Sequence, residues 1–423
     1  MASSAAAPVA GAVAGVFRAE HGRAVATLTR LLGDITLAEE AVQDAFVLAL
    51  ERWPEAGVPP NPGGWIVTTA RRRAIDRFRR ESTRDRRHAE AALLHTPDEP
   101  LEVGAVRDDQ LRLLFTCCHP ALSTEAQVTL TLRLLGGLET PQIARALLVP
   151  EATTAQRIVR AKRKIKDAGV PYRVPTEAEL PDRLPPVLLV VYLVYTAGHS
   201  ASGAAGGEGL VQAELCAEAV RLARVLAELM PDEPEVLGLL ALLLLLDARR
   251  AARRGPDGAL VPLSEQDRAR WDAALVAEGH AVVRALLRRG APGPYQVQAA
   301  IQAVHTDAAT AAQTDWRQVL ALYDQLLALT PTPVVALNRA VALAEVAGPE
   351  PALAVVDALD LPGYQPFHVV RAELLGRLGH PAEAARAYER ALELTANAVE
   401  RAHLQRRRVQ VGAPSGGEGP RPG

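Results

Sequence analysis

The stretch Thr140–Lys166, TPQIARALLVPEATTAQRIVRAKRKIK, decides how the middle of this 423-residue chain folds. Thr140-Pro141 marks a helix start, because threonine can cap a helix and proline suits the first helical position. We predict a short helix over Gln142–Leu148 that ends at Val149-Pro150, since the residue before a proline avoids the α region. A second helix is predicted from about Thr153 to Lys166. This pattern is typical of a helix-turn-helix.

The second helix of this pair has one apolar and one cationic face. Ile158, Ala161 and Ile165 recur at three- and four-residue spacing, which predicts a buried stripe. No acidic residue interrupts the chain between Gln156 and Lys166. The candidate DNA-binding residues on the opposite face are Gln156, Arg157, Arg160, Lys162, Arg163 and Lys164. Arginine and glutamine can bind base edges and lysine can neutralise phosphates, so we predict insertion into a major groove; a solvated basic helix is the alternative.

A second basic element lies earlier, at Arg71–Arg87, with nine arginines against three acids. Ala74, Ile75 and Phe78 would face a core, together with Trp65 and Ile66. The arginines would then form a stripe that binds phosphates. A charged surface helix, or one that binds nucleic acid without sequence preference, would show the same composition.

The bulk composition favours an all-α fold. Apolar residues make up 49% of the chain and aromatic residues 4%, and alanine and leucine dominate. Three cysteines give no disulfide framework, so a reduced, cytoplasmic protein is expected. The longest apolar run, Leu237–Leu246, is much shorter than the roughly 20 residues that span a bilayer, so no membrane association is expected.

Internal repeats occur in the C-terminal half. Tyr323–Thr330 (YDQLLALT) matches Tyr388–Thr395 (YERALELT). Five residues recur at an offset of 32: Arg339, Ala340, Leu343, Pro349 and Ala352 return as Arg371, Ala372, Leu375, Pro381 and Ala384. Helix pairs of about 34 residues are typical of tetratricopeptide (TPR) repeats, which stack because one unit cannot cover its apolar face. An alanine- and leucine-rich helical bundle is the alternative.

These elements, in this order, resemble an extracytoplasmic-function (ECF) sigma factor. Leu37–Trp53 (LAEEAVQDAFVLALERW) is similar to the family's helix that docks on the RNA polymerase β′ clamp. Trp65–Arg80 (WIVTTARRRAIDRFRR) resembles the region 2 helix that reads the −10 element, and Leu122–Lys166 resembles region 4, which reads the −35 element. DEPEVLGLLALLLLLDARRAAR and TPVVALNRAVALAEV resemble the subfamily with a C-terminal TPR-like domain.

The resemblance implies roles for particular residues. For polymerase binding they are Glu39, Glu40, Gln43, Asp44 and Phe46. For the −10 element they are Arg71, Arg72, Arg73, Asp76 and Arg77. For the −35 element they are Gln156, Arg157, Arg160 and Arg163. Two positions depart from the family pattern: Arg72 stands where many members have asparagine, and Ala155 occupies a position that is often basic.

The expected organisation follows from the resemblance and from the proline-rich breaks. We expect a disordered lead (1–12), sigma region 2 (13–85), a linker (86–107), sigma region 4 (108–170), a proline-rich linker (171–186), a TPR-like regulatory domain (187–411) and a disordered tail (412–423). The implied partners are core RNA polymerase, through its β′ clamp and β flap, promoter DNA, and a regulatory protein or ligand at the repeats. No cofactor and no enzymatic activity are expected.

Other functions have weaker support in the sequence. A helical-repeat scaffold that binds nucleic acid non-specifically would share the basic helices. Gly198–Ser202 (GHSAS) nearly matches the G-x-S-x-G turn of serine hydrolases, but the last glycine is missing and no strand series surrounds it. Cys117-Cys118-His119 would chelate a metal poorly, because neighbours on a helix point about 100° apart, and buried thiols are expected instead. Two interpretations are open for one polar cluster: it lines a concave face of the repeats, or it forms a capped, salt-bridged helix start. The cluster consists of Gln266, Asp267, Arg268, Trp271 and Asp272.

Overall fold

The computed structural model describes residues 3–80, 103–147, 149–200, 208–256, 258–395 and 397–412. Every regular element in these ranges is helical, and the strand-like pairing there is an isolated bridge between Arg254 and Leu260. The all-α prediction is confirmed. The chain forms two compact units, one of Met1–Gly198 with Ala217–Leu222 and one of His199–Cys216 with Ala223–Gly423.

The helices are numbered here in chain order over the described residues. The first eight are α1 Ser3–Leu32, α2 Ile35–Ala56, α3 Pro62–Arg80, α4 Val103–Cys117, α5 Thr124–Leu134, α6 Thr140–Ala146, α7 Glu151–Asp167 and α8 Leu180–Ser200. The next five are α9 Glu208–Leu229, α10 Pro234–Asp247, α11 Ala273–Arg289, α12 Pro294–Asp307 and α13 Trp316–Leu329. The last five are α14 Pro333–Ala347, α15 Pro349–Asp357, α16 Gln365–Arg377, α17 Pro381–Glu393 and α18 Ala398–Gly412.

Helices α1, α2 and α3 pack together around a small aromatic core. Helix α1 gives way to α2 at Gly33-Asp34: Gly33 has φ 69°, and the Asp34 carboxylate caps α2 by accepting from the backbone N–H groups of Thr36 and Leu37. Trp53 and Trp65 meet edge to face at a centroid distance of 5.3 Å. This contact fixes the end of α2 against the start of α3.

The expected sigma region 4 contains the four helices α4 to α7. In the helix-turn-helix, Ile143 and Ala144 of α6 and the predicted stripe of α7 (Ile158, Ala161, Ile165) are all buried. Each helix begins about two residues earlier than predicted. Thr140 is itself helical rather than a cap, and the Gln142 side chain accepts from the backbone N–H of Glu139 instead.

Several expected boundaries differ from those observed. Helix α1 begins at Ser3 within the expected lead, where alanine-rich sequence favours a helix. The end of the expected linker is helical from Val103, whereas 81–102 and the tail 413–423 lie outside the described residues. Helix α8 begins at Leu180 and contains Pro185 and Pro186, although we expected these prolines in a linker. Its buried face includes Val187, Val191 and Tyr195. Burial of this face offsets the loss of the backbone hydrogen bonds that the two prolines cannot donate.

In the second unit, the repeat detected in the sequence is a repeated helix pair. Pro349 and Pro381 begin α15 and α17, and Arg339 of α14 and Arg371 of α16 each donate to an aspartate of the preceding helix. The repeated alanines are fully buried, which lets neighbouring helices approach closely; they are Ala340, Ala352, Ala372 and Ala384. The repetition is therefore structural, and its assignment to the TPR class stays a prediction.

Arginine side chains satisfy backbone carbonyls in the irregular segment 248–272 of the second unit. Arg253 donates to the carbonyl oxygen of His199 at 3.0 Å, and Arg268 donates to those of His305 and Ala308 at 2.6 Å each. Arg270 donates to the carbonyl oxygen of Arg254 at 2.9 Å. Two of these arginines thus connect the segment to the ends of α8 and α12, and the third connects two parts of the segment.

Candidate nucleic-acid interface

The cationic face of α7 borders an open cleft of about 340 Å³ beside the start of α5. Four of the six predicted DNA-binding residues line this cleft: Gln156, Arg157, Arg160 and Lys164. Across the cleft lies Ser123, which caps α5 by accepting from the backbone N–H of Ala126. The cleft therefore joins three cations, an amide side chain and the positive end of a helix dipole.

The cations of the cleft differ in whether an acidic side chain lies near them. The pKa of Glu125 lies below its ordinary value, because its own backbone N–H and Ser123 donate to the carboxylate and Arg157 attracts it. Among the described residues, Arg160 and Lys164 form no ion pair. Exposed cations without an acidic partner suit binding to a polyanion.

The other two predicted residues of α7 lie outside the cleft. Lys162 turns away and pairs with the Glu39 carboxylate of α2, and its side chain is only 14% exposed. Arg163 is exposed and pairs with Asp167 one turn later at 3.2 Å. The sequence pattern treated all six residues as one face, whereas the structure divides them.

Sequence reasoning missed Val159, which is 65% exposed on α7. It lies one turn from both Gln156 and Arg163 and so shares their side of the helix. A valine exposed among basic residues was the available signal. Apolar side chains at such positions can contact the methyl group of thymine.

The predicted −10 residues all lie on α3, and their surroundings differ. Arg72, Arg73 and Asp76 are exposed, whereas Arg71 is half-buried and has a polar partner. Arg77 pairs closely with Glu40 of α2 and lies 3.9 Å from Asp44. The structure thus joins one predicted −10 residue to two predicted polymerase-binding residues.

The polymerase-binding residues predicted on α2 do not share one surface. Glu40 and Asp44 are exposed. Glu39 and Phe46 are buried, with the Phe46 ring 4.7 Å from that of Phe17, and Gln43 donates to Glu39. Sequence reasoning missed Val47 and Leu50, which are 55% and 51% exposed beside these acids. An exposed apolar pair flanked by acids is the kind of surface that a protein partner covers.

The three cysteines are free and buried, as expected for structural thiols. Burial raises the pKa of Cys118 to about 12, which disfavours its thiolate at neutral pH. No group of three metal-binding side chains occurs among the residues that the structure describes.

The hydrolase-like motif does not form a strand–turn–helix. Gly198 and Ser200 belong to the last turn of α8. The strained turn that exposes a nucleophilic serine needs a strand before it, and α8 supplies a helix instead.

The cluster around Trp271 forms a capped helix start. Asp267 caps a short 3₁₀ turn, and Asp272 caps α11. The Arg268 guanidinium lies 4.5 Å from the centre of the Trp271 ring. Of the two alternatives that the sequence left open, this is the one the contacts favour.

No helix among the described residues is long and apolar enough to cross a membrane.

Comparison with known proteins supplies the family. Residues 16–84 match the model for sigma-70 region 2, 112–165 match that for sigma-70 region 4, and 183–287 match DUF6596, a family of unknown function. No solved structure matched the chain.

Three relatives cover different shares of the chain. An uncharacterized protein of Rhizobium meliloti is 44% identical over 90% of this chain and 92% of its own length. The probable ECF RNA polymerase sigma factor SigI of Mycobacterium tuberculosis is 29% identical over 37% of this chain and 56% of its own. The ECF RNA polymerase sigma factor SigK of Mycolicibacterium vanbaalenii is 32% identical over 36% of this chain and 81% of its own. The two basic helices α3 and α7 lie in the stretches that match sigma-70 regions 2 and 4. The chain belongs to the family of ECF RNA polymerase sigma factors.

Proposed function

We propose that this sigma factor binds core RNA polymerase through the exposed face of α2 and directs promoter-specific initiation. In this proposal α3 binds the −10 element and α7 binds the −35 element. The observation that carries it is the cleft beside α7, where Arg157, Arg160 and Lys164 are held by a buried stripe on the opposite side of the helix. Cations that line an open cleft at helical spacing match the phosphates and base edges of a major groove.

Each DNA-binding helix alone would bind weakly and mostly by charge. Docking on polymerase would fix the two helices relative to one promoter, so that the second contact forms at a raised effective concentration. Opening the −10 element costs unstacking, about a few kcal/mol for each flipped base. We propose that the loop between α2 and α3, 57–61, offsets part of that cost by receiving a base.

We further propose that the second unit regulates the sigma regions. Its repeated helix pairs provide the extended surface on which repeat proteins bind partners. A specific protease site inserted within 201–207 would test the regulatory role. Transcription would be measured before and after cleavage, and size exclusion would establish whether the fragments separate. Because separation also removes Ala217–Leu222 from the first unit, a change in rate would support regulation when the sigma fragment keeps its folded circular-dichroism spectrum, whereas an unchanged rate would contradict it.

The central test is run-off transcription with core polymerase. The wild-type chain should co-purify with core enzyme and start transcription from a selected promoter. Arg157→Ala with Arg160→Ala should keep polymerase binding and lose transcription, because only the −35 contact is removed. The matched control is Arg284→Ala with Arg288→Ala, which removes two exposed charges from α11 of the second unit and should leave the rate unchanged.

The second candidate is a scaffold that binds nucleic acid without sequence preference. The exposed Arg72 and Arg73 favour it, since isolated basic side chains mainly bind phosphates. Equal affinity for promoter and unrelated DNA, with no binding to core polymerase, would favour the scaffold over the sigma factor.

A further inference from the structure

The second unit contains an arginine that backbone carbonyls and an aromatic ring hold in place. Arg268 begins a short 3₁₀ turn, and the Nη1 atom of its guanidinium donates to the carbonyl oxygens of His305 and Ala308 at 2.6 Å each. The guanidinium carbon lies 4.5 Å from the centre of the Trp271 ring. These contacts fix the guanidinium at the C-terminal end of α12.

The same contacts leave one edge of the Arg268 guanidinium available. The Nη1 atom carries two N–H groups, which matches its two carbonyl acceptors. Among the described residues, Nε and Nη2 have no acceptor, and no carboxylate forms an ion pair with Arg268. These two nitrogens form the planar fork that binds two oxygens of one carboxylate or phosphate group. Arg268 is thus a cation held in position to bind an oxyanion.

The burial of Arg268 favours an anionic partner. Burial lowers the pKa of its guanidinium, because the cation loses part of its hydration there. An anion that binds next to a partly dehydrated cation interacts with it more strongly than it would in water. The acids of the same segment have other partners, since Asp267 and Asp272 accept from backbone N–H groups as helix caps.

His305 lies beside this arginine and is a second group without a polar partner. The residue is only 8% exposed, and its ring makes no hydrogen bond with any residue that the structure describes. The ring lies 5.3 Å from that of Trp316, measured between centroids. Burial, Arg249 and Arg268 together lower the pKa of His305 to about 4. At neutral pH the imidazole is therefore uncharged and has one N–H to donate.

Two further donors lie in the same region of the second unit. Arg249 is 8% exposed and donates to the Gln302 side chain at 2.7 Å, one turn of α12 before His305. The Nε1–H group of Trp271, on the ring that the Arg268 guanidinium covers, is buried and has no acceptor among the described residues. Two guanidinium groups, an indole and an imidazole thus bring N–H donors and two positive charges together.

We propose that Arg268, His305 and Trp271 form a binding site for the phosphate group of a small molecule, with Arg249 as the second cation. A phosphate monoester carries nearly two negative charges at neutral pH, which matches the two arginines better than the single charge of a carboxylate. The fork of Arg268 binds two phosphate oxygens, and the His305 ring donates to a third. The site goes beyond the proposed function, because its occupancy is measured without polymerase or promoter DNA.

Binding of inorganic phosphate to the full-length protein tests the site. Phosphate should raise the melting temperature with increasing concentration, compared with chloride at equal ionic strength. It should also shift the NMR signals of the His305 ring, which are identified by their disappearance in His305→Gln. Acetate, which carries one charge, should bind about tenfold more weakly.

Arg268→Lys separates the fork from the charge. Lysine keeps the positive charge but cannot bind two oxygens in parallel, so the affinity for phosphate should fall about tenfold. The matched control is Arg270→Lys, because Arg270 also donates to backbone carbonyls of this segment but lies outside the proposed site. It should keep the wild-type affinity. Arg157→Ala with Arg160→Ala should keep the His305 shift, which separates this site from the cleft beside α7.

Each outcome bears on the proposal. His305 signals that phosphate leaves in place would overturn it, as would equal losses of affinity in Arg268→Lys and Arg270→Lys. Acetate that binds as tightly as phosphate would overturn the choice of phosphate.

A second variant covers the case in which Arg268→Lys does not fold. Trp271→Phe removes the indole N–H, keeps an aromatic ring and should weaken phosphate binding about threefold. A folded Trp271→Phe variant with wild-type affinity would then contradict the proposal. Failure of the proposed function is recognised differently, because the wild type would not transcribe with core enzyme while phosphate still shifts His305.

Discussion

Helices α3 and α7 are both rich in basic residues, yet the surfaces around those residues differ. On α7, three cations and Gln156 line an open cleft opposite a buried stripe. Among the α3 arginines whose side chains the structure describes, Arg77 is paired with Glu40, Arg71 is half-buried, and Arg72 and Arg73 are exposed. Burial and neighbouring acidic side chains therefore decide how many basic residues of a helix are available to bind DNA, more than the number of arginines does.

The largest expected effect comes from removing the α7 cations. Arg157→Ala with Arg160→Ala should weaken binding of the polymerase complex to promoter DNA by about 100-fold or more, since each base-edge contact contributes about 1–3 kcal/mol. Arg72→Ala with Arg73→Ala should cost less, and almost equally on all sequences. Binding isotherms at several salt concentrations would measure both pairs. Equal losses would remove the distinction between the helices.

The anchoring of the two helices is the next comparison. Ile158→Ala in the buried stripe of α7 should lower the free energy of unfolding by about 2–5 kcal/mol, because a cavity replaces a core side chain. Ile75 on α3 is only half-buried, so Ile75→Ala should cost about 1 kcal/mol. Chemical denaturation of both variants measures this difference, and a larger loss for Ile75→Ala would contradict it.

The acids beside α3 offer a gain of binding. Glu40→Gln with Asp44→Asn should raise the affinity of the free protein for duplex DNA by about threefold, because Arg77 loses its partners and becomes available to phosphates. The same variant should bind core polymerase more weakly if α2 is the docking helix. Glu350→Gln with Asp360→Asn changes the net charge equally in the second unit and should have neither effect.

The smallest effect is expected at Val159. Val159→Ala should weaken promoter binding by about fourfold, the contribution of roughly one buried methylene. The loss should vanish when one thymine of the −35 element is replaced by uracil, which lacks the methyl group. A loss that is the same on both duplexes would show that Val159 contacts no thymine methyl.

The parts of the fold that depend on local sequence were predictable. Gly33-Asp34 breaks α1 from α2 because glycine adopts φ 69° and aspartate caps the next helix. The stripe of α7 follows from three- and four-residue spacing. Both features depend on residues within a few positions of each other, so the sequence pattern contains what determines them.

The sequence could not predict in the same way which of the six candidate residues of α7 line the cleft and which pair with acids elsewhere. Lys162 and Glu39 are separated by 123 positions in the chain, and Arg133 and Glu39 by 94. Helical periodicity puts Lys162 on the basic face, and only the packing of α7 on α2 turns it inward. Phe46 shows the same limit, because its contact with Phe17 depends on how α1 meets α2.

The domain boundary after region 4 shows a related limit. Prolines from 171 to 186 predicted a linker, but the first unit continues to Gly198, and Tyr172 donates to the carbonyl oxygens of Ala26 and Asp109. A truncation after Val170 would remove these hydrogen bonds and α8 together. It would therefore destabilise the sigma regions themselves rather than simply release them from the second unit.

The arginines that donate to backbone carbonyls and the arginines and lysines that pair with carboxylates make contacts that respond differently to acid. Glu39 and Asp34 have pKa values below their ordinary ones, so their contribution to stability is present at neutral pH and is lost as pH falls through those lowered values. Arg253, Arg268 and Arg270 donate to carbonyl oxygens that do not titrate. Only strong acidification, to pH values below the ordinary carboxyl pKa values, should therefore loosen the contacts of Glu39 and Asp34, while these carbonyl contacts of the irregular segment persist.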